Sequence, residues 1–156
     1  MTYTMMIDAK RGDVVLVAFP FVREGEVERK RRPAVVVQSD RYNRRRAALI
    51  LAAITTTRSR AELPCKVMVA RESEAGQLAG LRTDSVIDCQ TLVTLPRSEV
   101  VARLGRFPLE TERSIDRALE DALGLPGPGA VEDPRSAPKR TPPRRSTPES
   151  DSPSQS

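Results

Sequence analysis

The chain has 156 residues, enough for one domain with a real core and too few for two, and its 26 Lys and Arg against 21 Asp and Glu give a formal net charge of +5. Histidine is absent, and the only cysteines, Cys65 and Cys89, lack CxxC spacing. Their pattern excludes His-based acid–base pairs, a Ser-His-Asp triad and His-ligated zinc, and it leaves two buried, reduced thiols as the expectation instead of a disulfide.

In chain order, Lys10-Arg11-Gly12-Asp13 reads as a turn feeding a first strand, Val14 to Phe21, with Pro20 marking an edge or bulge near its end. Phe19 is expected in the core. Phe21 sits at the mouth of the following segment, where rim packing and stacking on a base are both open. Residues 22–31 (VREGEVERKR) have one glycine and no apolar pattern, and are expected as a charged loop. Two apolar runs follow, Ala34 to Val37 and Ala47 to Ile54, both too short for independent helices and rich in Val, Ile and Leu; they are expected as neighbouring antiparallel strands. Antiparallel pairing lays the start of one beside the end of the other, so Arg32 and Thr55 would share one rim of the sheet. A guanidinium fork beside a hydroxyl suits a phosphate.

Cys65 to Ala70 is expected as a fourth strand, residues 72–82 as a loop with one helical turn, and Ser85 to Leu95 as a fifth strand. Strict alternation in that strand would set Val86, Asp88, Gln90 and Leu92 on one face and Ile87, Cys89, Thr91 and Val93 on the other. Ser98 is expected to cap a short helix over Glu99 to Ala102, with Leu104 to Phe107 as a last short strand. From Glu110 an amphipathic helix is predicted, with Leu109, Ile115, Ala118, Leu119, Ala122 and Leu123 as its apolar stripe, Gly124 at C′ and Pro126 beyond. Residues 126–156 hold eight of the thirteen prolines and a single branched aliphatic, Val131. Such a segment is expected to be disordered, since it has too little apolar surface to offset its ordering entropy. Residues 1–9 are expected to be flexible, without a signal peptide, and no run approaches a membrane span.

Charge is concentrated. Between Arg29 and Arg60 stand ten basic residues and one acid, Asp40, a local charge of +9 on a chain whose remainder is acidic. An anionic partner is the expectation.

The order RGDVVLV, a charged segment, RRPAVVVQSD, LAAITT, TDSVIDCQ and a final helix ending LGL resembles the MazF/PemK family of endoribonuclease toxins from type II toxin–antitoxin systems, over about residues 10–125. The resemblance implies a mainly β fold, a small SH3-like curved antiparallel barrel with a C-terminal helix, acting as a homodimer in the cytoplasm. It implies metal-independent, cofactor-free cleavage of single-stranded RNA at short sequences, leaving a 2′,3′-cyclic phosphate and a 5′-hydroxyl, and a cognate antitoxin that is acidic and partly disordered. Carried over residue by residue, the catalytic arginine is Arg32, before Pro33, and the catalytic threonine is Thr55. Gln90 corresponds to the family's glutamine on the fifth strand. Ser39 is a substrate-contacting position, with Phe21, Lys30, Thr56 and Arg58 as further RNA contacts. The segment VREGEVERKR departs from the family's usual Gly-Ser-Glu-Gln-type sequence, so base specificity does not transfer. The Pro-rich tail is also outside the pattern.

In this chemistry the 2′-hydroxyl is the nucleophile, so the protein must supply geometry and charge compensation for the phosphorane. Guanidinium does not give up its proton at ordinary pH; Asp13, Asp40 and Asp88 stay open as proton carriers. Two other functions fit parts of the chain: a related barrel toxin acting on a protein target, as gyrase-binding relatives of the fold do, and a nucleic-acid-binding barrel without catalysis.

Overall fold

In a computed structural model the described residues are 7–127. The expectations for the N-terminus and the Pro-rich tail fall outside them, except at residues 7–9 and 126–127; Ala9 is buried. Six strands form one antiparallel sheet: β1 Asp13–Arg23, β2 Glu26–Val36, β3 Ala48–Thr55, β4 Lys66–Val69, β5 Ser85–Pro96 and β6 Val100–Arg106, in spatial order β4-β5-β3-β2-β1-β6. Three helices accompany it: α1 Asp40–Asn43, α2 Glu74–Leu78 and α3 Leu109–Leu123.

Period-two alternation sorts the apolar residues of β1, β2 and β3 onto opposite faces. Val14, Val35, Ala52 and Ile54 form one core with Ile87, Phe107, and Ile115 and Ala118 of α3. Val15, Val17, Phe19, Ala34, Val36, Leu49 and Leu51 form the second, with Ala9 and Leu95. The sheet is strongly curved without closing into a barrel: β4 and β6 remain its edges, and the chain leaving α2 lies against β6. A Cβ on Gly80 would collide with the Leu104 carbonyl oxygen and one on Gly105 with that of Leu78, so bare glycines permit the approach.

Three expectations are corrected. Residues 22–31 are not a loop. β1 and β2 run on in register through Val22↔Val27 and Arg23↔Glu26, turning at Glu24 and Gly25, both at positive φ (53° and 85°), as a two-residue primed hairpin turn requires. Pairing of β1 with β6 stops at Val17↔Val100, and that of β2 with β3 at Ala34↔Ala53. The hairpin therefore projects as a two-stranded ribbon, with Val22 73% and Val27 67% exposed. Solvent on both faces removes any need for apolar alternation, which is why the segment reads as loop. Pro20 lies where β1 has a neighbour on one side only.

β5 does not alternate strictly. Ala52 pairs Leu92 while Ala53 pairs Asp88, so residues 89–91 have no partner on β3 and the two halves of the strand are out of phase. The Asp88 carboxylate holds the bulge, accepting the Gln90 N–H (3.0 Å) and the Thr91 hydroxyl (2.9 Å).

The expected helix over Glu99 to Ala102 is absent. A 3₁₀ turn, Arg97–Glu99, leads into β6, and Ser98 does not cap it; the β-branched pair Val100-Val101 prefers the strand. α3 begins at Leu109 and ends at Gly124 in the left-handed region (φ 66°), with Leu125 N–H returning to the Glu120 carbonyl. Ile115 and Ala118 carry its packing against the sheet, whereas Leu109 and Leu123 are 61% and 56% exposed, so the apolar stripe is narrower than expected. Cys65 and Cys89 are buried free thiols, with Cys89 N–H donating to the Cys65 carbonyl at 3.1 Å.

Candidate active site

Where β2 and β3 stop pairing, the strands part. Continuing the register beyond Ala34↔Ala53 brings Arg32 across from Thr55, the last residue of β3. Both line two concavities, one of about 350 Å³ and one of about 340 Å³, and so form the rim between them. The first lies against Leu16, Leu81, Arg82, Thr83 and Leu104. The second lies against Phe19, Phe21, Arg60, Lys66, Asp88 and Thr91.

Arg32 forms no ion pair among the described residues. Its guanidinium carbon stands 5.3 Å from the centroid of the Phe21 ring, and the Lys30 ammonium stands 5.2 Å from the same centroid. The ring attracts both cations through its quadrupole and fixes the direction of Arg32 along the ribbon without neutralising it. A salt bridge to a carboxylate would quench the charge needed for phosphate; a cation–π contact leaves all five N–H donors available. The Thr55 hydroxyl oxygen accepts the Thr57 N–H at 3.1 Å, which orients the group and leaves its hydrogen to donate.

The other expected contacts divide. Thr56 lines the first concavity beside Thr55. Lys30 and Phe21 lie on the ribbon, bound to each other. Arg58 is paired with Asp84 at 2.8 Å and lines neither concavity. Gln90 is exposed in the β5 bulge and lines neither. Ser39 is at the far end of β2, where its hydroxyl accepts the Arg41 N–H at the start of α1, on the order of 20 Å along the chain from Arg32 at about 3.3 Å per residue.

Of the three aspartates, only Asp88 reaches the site. Asp13 is buried at the start of β1 with Arg103 at 3.2 Å. Burial opposes ionisation of Asp40, but the Arg11 N–H, the Asn43 amide and the charges of Arg106 and Arg44 outweigh it and hold its carboxyl below the usual value.

Sequence reasoning passed over Lys66, Arg60 and Arg82. Lys66 is the first residue of β4, its Nζ donating to the Ser59 carbonyl at 3.2 Å and lying 4.0 Å from Asp88 Oδ2. The signal was present: a lysine opening an apolar strand whose partner strand carries a lone aspartate. Arg60 adopts φ 55° and Arg82 follows α2, and neither position has a local signature.

No three of Cys, Asp and Glu converge into a group able to hold a metal ion among the described residues. No helix among them is long and apolar enough to cross a membrane.

Known proteins resemble this chain over most of the described residues. Residues 10–123 match the family described as PemK-like, MazF-like toxin of type II toxin-antitoxin system. Endoribonuclease MazF6 of Mycobacterium tuberculosis and Endoribonuclease MazF2 of Mycobacterium bovis are each 33% identical over 102 residues, spanning 65% of this chain and 85% of theirs. Among solved structures, an endoribonuclease from mycobacterial species superposes with a TM-score of 0.61 at 26% identity, covering 80% of this chain and 99% of that one. A second, an endoribonuclease in complex with its cognate antitoxin, gives 0.58 at 27% identity, covering 76% and 98%. Family match, curated relatives and fold converge: the chain belongs to the PemK-like, MazF-like toxins of type II toxin–antitoxin systems.

Proposed function

We propose that this endoribonuclease toxin cuts single-stranded RNA at short sequences without a metal ion, through attack of a 2′-hydroxyl on the adjacent phosphate. The 2′-oxygen loses its proton and bonds to phosphorus, the bond from phosphorus to the 5′-oxygen breaks, and the leaving oxygen takes up a proton. A 2′,3′-cyclic phosphate and a 5′-hydroxyl result. The reading rests on one observation: Arg32 and Thr55 meet on the ridge between two concavities. A phosphate on that ridge would have its flanking nucleosides directed to either side.

Arg32 and Thr55 are the donors to the non-bridging oxygens, on which charge grows as the phosphorane forms. Donors set in place beforehand stabilise that charge more than the ground state. Asp88, the only one of the three weighed aspartates beside the ridge, is the assigned acceptor of the 2′ proton. Phe21, Lys30 and Thr56 are flanking RNA contacts. Gln90 and Arg58 contact RNA only outside the two concavities. An acidic antitoxin segment and a second copy of the chain complete the proposed assembly, in the cytoplasm.

The test is incubation of the purified protein with a long RNA in EDTA and mapping of the ends. Discrete cuts with cyclic-phosphate and 5′-hydroxyl termini support the reading. A gel shift without cuts would make the chain a binder, and the absence of both cuts and shift would point to a protein target.

A further inference from the structure

The basic segment, continuous in sequence, is divided in space. Arg32 and Arg60 stand at the cavity rim, while Arg41, Arg44, Arg45 and Arg46 stand at the other end of β2 and β3, in and just after α1. All four are exposed, and none is in an ion pair among the described residues. They are displayed by a rigid turn. Asn43 is buried, its amide donating to the Gln38 carbonyl and its oxygen accepting from the Gln38 amide, each at 2.9 Å. Beneath the turn the buried guanidinium of Arg97 donates to the Asn43 and Arg46 carbonyls. With these carbonyls drawn inward, the arginine side chains point to solvent. Asp40, the one acid of the segment, accepts the Arg11 N–H at 2.8 Å and lies within electrostatic reach of Arg44. Arg97 adds a fifth positive charge without a carboxylate among the described residues. Tyr42 is 48% exposed, with the Arg41 guanidinium 5.9 Å from its ring centroid.

Four exposed cations and Arg97, offset in part by Asp40 near Arg44, repel one another and weaken the fold. An anionic partner reverses that cost. Four outward guanidiniums, that of Arg41 beside the exposed Tyr42 phenol, offer phosphate contacts and a stacking surface, the combination that holds single-stranded nucleic acid independently of sequence. We infer that the α1 turn is a second RNA-docking surface, which grips substrate several nucleotides from the scissile phosphate and makes the enzyme favour long RNA over short. The inference rests on the RNA reading above for the class of ligand.

The test combines Arg41, Arg44, Arg45 and Arg46→Ser in one variant, with all four →Lys as control and the thermal midpoint as a check on folding. Two probes are used: a long fluorescent transcript, and a short oligonucleotide spanning one cut site, each also prepared with a 2′-deoxy nucleotide at the cut so that binding is read without cleavage. The Ser variant is expected to bind the long RNA about tenfold or more weakly, with its salt slope reduced by up to about 3, four single-strand phosphate contacts' worth. Short-oligonucleotide cleavage and kcat should not change, and Lys should restore most of the binding. Equal losses on long and short RNA, or no loss on either, would overturn the inference, as would loss of antitoxin binding alone. If wild-type protein cuts neither RNA yet binds the long one through these arginines, the cleavage reading fails and the docking surface stands.

Discussion

Lys66 and Asp88 oppose each other in register across β4 and β5, with Nζ 4.0 Å from Oδ2, at the wall of the concavity that Arg32 and Thr55 rim. Side-chain exposures of 14% and 18% place the pair largely out of water. Asp88 also closes the β5 bulge, so one carboxylate ties the floor of the site to its side.

Asp88→Asn is therefore expected to lose both stability and activity. An amide cannot accept from the Gln90 N–H and the Thr91 hydroxyl through two oxygens, and about 1 kcal/mol is the expected loss from one exposed hydrogen bond. Denaturant unfolding measures the first effect and single-turnover cleavage the second. Lys66→Met combined with Asp88→Asn should cost less than the sum of the two single changes, because neither then leaves the other's charge uncompensated. Additive losses would show that the two do not interact.

Arg32→Ala and Thr55→Ala should fold normally, since neither side chain belongs to a buried core, and each should lower kcat by about a hundredfold or more, the cost of one transition-state donor at about 3 kcal/mol. Arg32→Lys should recover little, because a point charge does not reproduce the fork. Phe21→Leu keeps apolar bulk and removes the ring that directs Arg32. A several-fold fall in kcat with intact folding is expected, and unchanged kcat would mean that Arg32 is oriented by something else.

Alkaline destabilisation should carry the signature of Cys89. Burial, the Asp88 charge and the neighbouring Cys65 push its thiol up to about 12 from an ordinary value of 9.0. As pH climbs above 9 the unfolded thiol gives up its proton while the folded one keeps it. The contribution is fully present below pH 9 and falls by up to about 1.4 kcal/mol per pH unit towards 12. Cys89→Ala should flatten that part of the stability–pH curve relative to wild type. An identical slope in both would place the loss on other groups.

Glu112 gives a prediction of the same sense at lower pH. Burial raises its pKa, with Asp116 and Asp40 adding to the effect and Arg106 and Arg11 only partly opposing it. The raised value means that its charged form is disfavoured by the fold, so the contribution is present below the unfolded pKa and lost as pH rises through the folded one. Glu112→Gln should raise the melting temperature near neutral pH, whereas a fall would show that the Arg106 contact at 3.8 Å outweighs burial.

The meeting of Arg32 and Thr55 was legible in the sequence because two short apolar runs, with no room for helices, pair antiparallel, which lays the start of one beside the end of the other. α3 was legible from its 3.6-residue period and its Gly124. The ribbon was not, because a strand wet on both faces carries no apolar rhythm. The bulge at residues 89–91 was hidden for a different reason: an aspartate that folds back on the residues two and three positions on has the same spelling as an outward strand position. The α1 arginines read as one basic tract with Arg32, and Ser39 as a substrate contact beside it, because sequence distance says nothing about which end of a strand a residue occupies.

The β1–β2 ribbon stands clear of β3 and β6 beyond Val17 and Ala34, like a cantilever anchored at its root. Lengthening or trimming it at Glu24-Gly25 disturbs neither core. Changes made one residue at a time on each arm preserve the cross-strand partners, whereas a residue added to one arm alone would swap the sides on which Phe21 and Lys30 emerge. Here the fold offers a part that can be redrawn while the ridge proposed to cut, at its base, stays as it is.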